Sequence, residues 1–429
     1  MAPLIASLVF AITLGLILTD RIHRLIASAV GAAAMLAAGY AIGFYTEEQA
    51  IAAIDFETLG LLLGMMILVR LLERSGFFEY LAIVTARQSG GRPWRLLLVL
   101  GATTSLTSMF LDNVTTVVLI APVTVLIAEI LGLNPIPMLI AEGLLSNTGG
   151  IATLIGDPPN VLIGSAADLS FMSFLTHMAP IVLVVWIAAV LLMRWLFRAD
   201  LAVRPTNLHV LRQLNAREAL HDPVNLRRVL FVLAGTLALF FVQGALGISP
   251  AFVALAGAAA ALAWVQPDIE EMLKGIEWSV LLFFAALFVV VGGLDAAGVL
   301  HGFAGALKSL SAAEPALLGL IVIWGVALIS AIIDNIPITI AMIPVILDLA
   351  ATGVNVTPLW WALALGAGLG GNGTIIGSTA NVIVVSVSER TRTPITARLW
   401  MKRGLPVMLV TLVVASVLYV VAFDWMSTP

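Results

Sequence analysis

Long apolar runs separated by short polar segments dominate the chain of 429 residues. Most of these runs are about as long as a helix needs to cross a bilayer, which is roughly 17–25 residues. The pattern predicts spanning helices over 3–19, 25–43, 56–72, 178–197, 229–244, 250–265, 278–294 and 405–423. Composition agrees, because 61% of the residues are hydrophobic and 11% are charged, against about 25% charged in soluble domains. We therefore expect an all-α polytopic membrane protein.

Two pairs of apolar runs are joined by turns that are too short to leave a bilayer. The pairs cover 96–131 and 316–350, and their turns are Asp112-Asn113 and Asp334-Asn335. Backbone that turns at membrane depth is tolerated only inside protein or beside a water-filled cavity. We predict that both pairs are re-entrant hairpins whose tips stop inside the protein.

Glycine and proline interrupt two further runs. The interrupted runs cover 136–172 and 359–387. The sequence GDPPN at 156–160 cannot continue a helix without losing backbone hydrogen bonds. Freed carbonyls and the hydroxyls of Thr153, Thr374 and Ser378 can coordinate a cation, while the half-helix from Pro158 directs its positive end at the same place. We predict a discontinuous helix in each half; a simple proline kink is the alternative.

Positive charge lies on one side of the predicted spans. If the hairpins do not cross, each half has five crossings, and all of the 21 Lys and Arg residues except Lys308 fall on the same side. The positive-inside rule makes that side cytoplasmic and places both termini outside. No basic segment precedes the run at 3–19, so we expect a retained span rather than a signal peptide.

The two halves also share sequence. Residues 54–78 align with 276–300 at an offset of 222, which also aligns Asp112-Asn113 with Asp334-Asn335. One residue out of that register, 149–163 aligns with 370–384. Because five crossings are an odd number, the second half is inverted, as in many secondary transporters. We predict two inverted repeats of five transmembrane helices each plus a re-entrant hairpin. They cover 1–197 and 229–429, and 198–228 is a cytoplasmic linker.

Polar residues concentrate at the hairpin tips and helix breaks. A carboxylate at the membrane centre costs about 2.5–3.5 kcal/mol, so Asp112 and Asp334 require a role. Serine would cap a helix without a charge, which favours ion or proton binding, although one side chain can do both. The predicted substrate- and ion-binding residues are Asp112, Asn113, Thr115, Thr153, Gly156, Asp157, Asn160, Asp334, Asn335, Asn372, Thr374, Ser378 and Asn381.

The predicted site is acid-rich and asymmetric. Asp157 corresponds to Ser378, and Glu142 corresponds to Leu363. Because these segments contain no Lys or Arg, we expect the site to repel carboxylate anions and to accept a cation, a proton or a neutral polar solute. Proton coupling is predicted at Asp112, Asp157 and Glu142. The chain has no cysteine and no G-x-x-x-x-G-K-[ST] sequence, so we expect no metal centre and no cofactor.

Three segments resemble the Ion Transporter superfamily and, within it, the branch of the arsenite permease (ArsB) and the pigmentation P-protein. They are FLDNVTTVVLIAPV at 110–123, LIAEGLLSNTGGIATLIGDPPNVLIGS at 139–165 and AIIDNIPITIAMIPV at 331–345. The resemblance extends over essentially the whole chain. It implies a scaffold domain with a mobile transport domain, hairpins that enter from opposite sides, and a homodimer. Related sodium–carboxylate transporters carry Ser-Asn-Thr at each tip, where this chain has Asp-Asn, which argues against sodium–carboxylate cotransport.

The resemblance and the acid-rich site together predict a secondary active transporter that exports arsenite or antimonite, As(III) or Sb(III), in exchange for protons. Arsenous acid is uncharged at neutral pH, so hydroxyls, amides and carbonyls can hold it. A sodium/proton antiporter is an alternative, and a P-protein-like anion transporter is another, which the acid-rich site disfavours. We expect a bacterial plasma membrane protein without enzymatic activity or a nucleic-acid partner. The sequence leaves open whether a cytoplasmic ATPase docks on the basic linker.

Overall fold

The computed structural model describes residues 1–18, 22–206, 208–213, 215–299, 315–391 and 393–428. Every regular element in these residues is helical. The helices before residue 220 are α1 (Ala2–Leu18), α2 (Arg24–Ile42), α3 (Glu47–Ala53), α4 (Phe56–Arg74), α5 (Phe77–Ser89), α6 (Pro93–Ser108), α7 (Asn113–Ile130), α8 (Ile136–Gly150), α9 (Pro158–Ala166), α10 (Phe171–Leu196), α11 (Arg198–Leu201), α12 (Leu208–Gln213) and a 3-10 helix (Ala216–Ala219).

The other described helices lie after residue 220. They are α13 (Pro223–Leu246), α14 (Pro250–Val265), α15 (Ile269–Lys274), α16 (Trp278–Ala296), α17 (Pro315–Ser330), α18 (Asn335–Ala351), α19 (Thr357–Gly370), α20 (Thr379–Ser388), α21 (Ala397–Val421) and α22 (Phe423–Met426). Short helices α3 and α15 lead into α4 and α16, and breaks separate α8 from α9 and α19 from α20.

Within the described residues, six helices are long and apolar enough to cross a membrane: α2, α7, α10, α13, α16 and α21. A seventh span results if α3 and α4, which meet at 47°, are counted together. α7 is among the six although the sequence predicts that it does not cross, so five crossings per half remain a prediction. Lys308, the basic residue expected on the opposite side, lies outside the described residues.

Several helix boundaries differ from the sequence prediction. The segment 70–95, predicted as a loop, contains α5, whose buried residues include Phe78, Ala82 and Ala86. A helix that packs on a neighbour with one face needs apolar residues only on that face. Its sequence therefore contains no long apolar run, and the helix is read as a loop. α10 begins at Phe171, seven residues before the predicted 178, because Ser170 caps it by accepting from the Ser173 backbone N–H at 3.0 Å.

Helices α8 and α19 form the centre of the molecule. Every residue of α8 is buried, and so is every residue of α19 from Pro358 to Gly370. Helices that bury every face lie in the interior of a protein. α6 packs on α8 and α17 on α19 so closely that a Cβ at Gly149 would lie 2.6 Å from the Ser105 carbonyl oxygen, and one at Gly370 would lie 2.5 Å from the Ala327 carbonyl oxygen.

Candidate substrate and ion site

Each hairpin tip is also a helix N-cap. Asp112 accepts hydrogen bonds from the Thr115 backbone N–H at 2.8 Å and from the Thr115 hydroxyl at 2.6 Å. Asp334 accepts from the Ile336 backbone N–H at 3.4 Å. Both carboxylates therefore satisfy orphan donors at the starts of α7 and α18. The capping role considered for these residues is present in the structure, and Thr115 takes part in it.

The breaks are closed by asparagine side chains. The Asn160 amide donates to the carbonyl oxygens of Gly150 at 3.0 Å and Thr153 at 2.8 Å. The Asn381 amide donates in the same way to Gly371 at 2.8 Å and Thr374 at 2.9 Å. These carbonyls were predicted to be free for a cation, and each already accepts a hydrogen bond. The two breaks therefore have the same internal bonding.

Two threonines tie each break to a hairpin. The Thr153 hydroxyl donates to the Met109 carbonyl, and the Thr374 hydroxyl donates to the Ala331 carbonyl at 2.5 Å. A Cβ at Gly156 would lie 2.6 Å from the Gly150 carbonyl oxygen, so this glycine permits the chain to fold back on itself. Thr153, Thr374 and Gly156 thus shape the breaks through contacts with backbone.

Asp157 lies between the two hairpin tips and is 1% exposed. The Asn335 amide donates to its Oδ2 at 3.1 Å, and the Asn113 amide reaches its Oδ1 at 3.5 Å. Among the described residues, no Lys or Arg forms an ion pair with Asp157. Amide dipoles from both halves of the chain therefore surround this carboxyl group.

Asn147 connects the remaining polar residues, and the sequence prediction missed it. Its Oδ1 accepts from Asn113 at 3.0 Å and from the Ser378 hydroxyl at 2.9 Å. Its Nδ2 donates to Asn372 at 2.9 Å and to Asn381 at 3.1 Å. The available signal was a single asparagine in an apolar helix, in the place that Gly368 occupies in the second half.

Arg24 corrects the prediction that no cation neutralises the site. Its guanidinium lies 3.5 Å from Asp334 Oδ2 and donates to the Thr379 hydroxyl at 2.9 Å. Thr379 in turn donates to Asp334 at 2.9 Å. The side chain also lies over the Phe283 ring, 5.6 Å from its centroid. Arg24 begins α2, far from the predicted site segments in sequence, so only tertiary packing brings it here.

Glu142 lies apart from this network. It is fully buried, and its Oε1 accepts from the Thr124 hydroxyl at 2.5 Å, while its Oε2 has no hydrogen-bond partner. The network that contains Asp157 begins more than one turn later on α8, at Asn147. The predicted proton-coupling residues therefore occupy three surroundings: Asp112 at a cap, Asp157 among amides and Glu142 beside one hydroxyl.

A cavity of about 50 Å³ lies beside the hairpin tips. Arg24, Asp112, Thr379 and Glu277 supply its polar lining, and Pro158 brings in the start of α9. We call it the central cavity. It has room for water, since a cavity needs about 10–15 Å³ on this measure to hold one water molecule. Its chemistry can serve an ion, a proton or a small polar solute.

A family model described as citrate transporter matches residues 14–366. The chain belongs to the citrate transporter family. Among its relatives, an uncharacterized transporter of Mycobacterium tuberculosis is 41% identical over 421 residues, which are 96% of this chain and 97% of the relative. The 46 kDa membrane protein of Mycobacterium leprae is 39% identical over 419 residues, with the same coverage of both chains.

More distant similarities point to the same class. The human P protein is 33% identical over 500 residues, which are 97% of this chain and 60% of the P protein. The YdaH transporter of Alcanivorax borkumensis superposes with a TM-score of 0.66 at 18% identity over 100% of both chains. The chain is therefore a multi-pass membrane transporter with a YdaH-like fold. The P-protein resemblance is confirmed, whereas the arsenite-permease branch remains a prediction.

Proposed function

We propose that this chain is a proton-coupled secondary transporter whose coupling group is Asp157. The observation that carries the proposal is the burial of this carboxyl between amides from two hairpins without an ion pair among the described residues. An isolated buried charge is costly, so such a carboxyl binds either a proton or a second positive ligand. Alternation between the two couples a proton to a transported solute.

The substrate that we propose first is As(III) or Sb(III) as the uncharged acid, exported as protons enter. The amides of Asn113, Asn147, Asn335 and Asn372 are neutral donors and acceptors that suit hydroxyl groups without favouring an ion. Sodium in place of the solute would make the protein a sodium/proton antiporter, which uses the same carboxyl.

A carboxylate anion is a second candidate, and Arg24 favours it. A guanidinium binds carboxylates in bidentate geometry, and Arg24 lines the central cavity beside Thr379. The family description, citrate transporter, points in the same direction. The predicted repulsion of carboxylates depended on the absence of a cation from the site segments, and Arg24 supplies a cation from α2. The Asp-Asn sequence at the tips still argues against cotransport of a carboxylate with sodium.

We propose in addition the arrangement of two inverted repeats in a bacterial plasma membrane, with both termini outside. The matching bonds at the two breaks and the two hairpins support the repeat, and the mycobacterial relatives support the membrane. A homodimer and a cytoplasmic ATPase partner are further hypotheses that pull-down and mass measurement in detergent would test.

The test is transport by purified protein in proteoliposomes with an imposed pH gradient. The solutes offered in turn are As(III), citrate with and without Mg²⁺, and sodium. For each one, the uptake of the solute and the change of pH inside the vesicles are measured. In wild type, movement of one of these solutes should be coupled to a proton flux, whereas Asp157→Asn should lose the proton flux. Asp424→Asn, at an exposed carboxylate near the C-terminus, is the matched control and should behave as wild type.

Substrate choice is decided by Arg24→Gln in the same assay. Loss of citrate transport with retained As(III) transport would assign Arg24 to an anion site. Unchanged proton flux in Asp157→Asn would refute the coupling role, and movement of sodium alone would favour the antiporter.

A further inference from the structure

Two cavities flank the site and have corresponding linings. One, of about 140 Å³, lies between α4, α7 and the residues before α16, and we call it the Arg70 cavity. The other, of about 330 Å³, lies between α16, α18 and the residues before α4, and we call it the Gly292 cavity. Nine residues line the first cavity, and the offset of 222 relates seven of them to residues that line the second.

The polar members of the two linings correspond. Glu277, directly before α16, pairs with Asp55, directly before α4. Near the other end of each helix, Glu73 pairs with Asp295. Each cavity therefore carries one carboxylate at the start of a helix and another near the end of its counterpart, so both present a negative lining to a cation or proton.

The two linings differ in charge at one position. Arg70 lines the smaller cavity, and its counterpart Gly292 lines the larger. The Arg70 guanidinium is paired with Glu73 at 2.6 Å and lies against Gly275, where a Cβ would collide with it. In the other half, Gly292 lies against Ala53 instead. The arginine side chain therefore enters the lining of the smaller cavity, whereas at Gly292 the Ala53 methyl and the Tyr45 hydroxyl lie against the backbone and no long side chain extends into the larger cavity.

The Arg70 cavity adjoins the site, and the Gly292 cavity lies along the half-helix that leads away from it. The Arg70 cavity shares Met66, Val69 and Glu277 with the central cavity, which holds Asp112 and Arg24. The Gly292 cavity reaches Leu162 and Ser165 on α9, the half-helix that begins directly after Asp157. Together they approach the candidate site from two different faces.

We infer that the two cavities are the access vestibules of one transport path, open to opposite sides of the membrane, and that Arg70 narrows the cytoplasmic one. The inference rests on the proposed transport function. Arg70 belongs to the basic segment 70–95, which the positive-inside rule places in the cytoplasm. A second ion pair, between Arg74 and Glu271 at 2.8 Å, lies near the same end of α4. In the structure described here, the cytoplasmic vestibule is the constricted one.

Single-cysteine labelling tests this inference directly, because the chain has no native cysteine. Val118 and Ile340 are equivalent residues that line the Arg70 and Gly292 cavities. Val118→Cys should react with a membrane-impermeant maleimide only in inside-out vesicles, and Ile340→Cys only in right-side-out vesicles. Labelling of both positions from one side would refute opposite openings, whether or not the protein transports protons.

The role of Arg70 is tested on the Val118→Cys background. Arg70→Gly, which copies Gly292, should raise the labelling rate several-fold, and Arg95→Gly, at an exposed arginine on α6, should leave it unchanged. If Arg70→Gly does not fold, Glu73→Gln breaks the ion pair while keeping the side-chain volume and should also speed labelling. An unchanged rate in the folded variant would overturn the role of Arg70.

Discussion

Asn147 joins the two halves of the chain through its side chain. Of its four side-chain partners, Asn113 is on α7, Asn372 and Ser378 lie in the break between α19 and α20, and Asn381 is on α20. An asparagine amide can make such contacts because it offers two donors and two acceptor lone pairs. At the residue scale, buried amides fix the position of the Asp157 carboxyl group. The positive charge of the site is supplied by Arg24, which lies at its edge.

The variant Asn147→Ala should be both unstable and inactive. It leaves buried polar groups on Ser378, Asn372 and Asn381 without this partner, and each unsatisfied group costs about 1–3 kcal/mol. We expect a clearly lower melting temperature in detergent and loss of transport. Asn355→Ala is the control, because this exposed asparagine bonds the Ser427 carbonyl and the Thr357 backbone N–H at the surface, and it should lower the melting temperature much less. Equal melting temperatures of the two variants would contradict the structural role of Asn147.

The broken helices are the elements that depend most on backbone approach. Gly156 packs its Cα against the Gly150 and Ser108 carbonyl oxygens, and Gly377 does the same against those of Gly371 and Ser330. A Cβ at Gly156 would lie 2.6 and 2.7 Å from these oxygens, and one at Gly377 would lie 2.7 and 3.0 Å from its own. Backbone atoms cannot move aside as a flexible side chain can.

We therefore expect Gly156→Ala to destabilise the fold and Gly377→Ala to do so less. Overpacking of a tight site costs about 1–3 kcal/mol, and the longer contacts at Gly377 leave slightly more room. Gly235→Ala is the control, because nothing lies within 4 Å of a Cβ there. Thermal unfolding of the three variants measures the order. A melting temperature of Gly156→Ala at or above that of Gly235→Ala would show that the break accommodates a methyl group.

The positions of the hairpin tips and helix breaks could be predicted from the sequence, but the hydrogen bonds and ion pairs between them could not. Asp112, Asp334 and the GDPPN segment interrupt apolar runs with residues that cap or stop helices, so their positions are readable locally. Arg24 lies 310 residues from Asp334, and Asn147 lies 225 from Asn372. These contacts depend on how helices pack, which no local pattern encodes. α5 was missed because an amphipathic helix has no long apolar run.

At the scale of the whole molecule, Glu277 connects the Arg70 cavity with the central cavity. It lies before α16 and shares the central cavity with Asp112 and Arg24 and the Arg70 cavity with Glu73. Burial raises the pKa of the Glu277 carboxyl to about 7, Asp112 and Glu73 add to the rise, and Arg24 opposes it. This carboxyl is therefore neutral below about pH 7 and ionised above it.

This titration predicts a pH-dependent transport rate. On the proposed path, a proton leaves for the cytoplasm through the Arg70 cavity, and Glu277 accepts it in its ionised form. We expect the rate to rise as cytoplasmic pH increases from about 6 to about 8, and Glu277→Gln to abolish that rise. Glu389→Gln, at an exposed carboxylate, should retain it. A rise that persists in Glu277→Gln would assign the titration to another group.

The two amides that contact Asp157 come from distant parts of the chain, which has a consequence for its synthesis. One of these donors, Asn113, is synthesised before Asp157, whereas the other, Asn335, follows 178 residues later. At about 5–20 residues per second, the ribosome takes roughly 10–40 s to supply that second donor. During this interval the Asp157 carboxyl group lacks the Asn335 amide, the shorter of its two amide contacts. Insertion factors that shelter polar segments should therefore stay with α9 until α18 emerges.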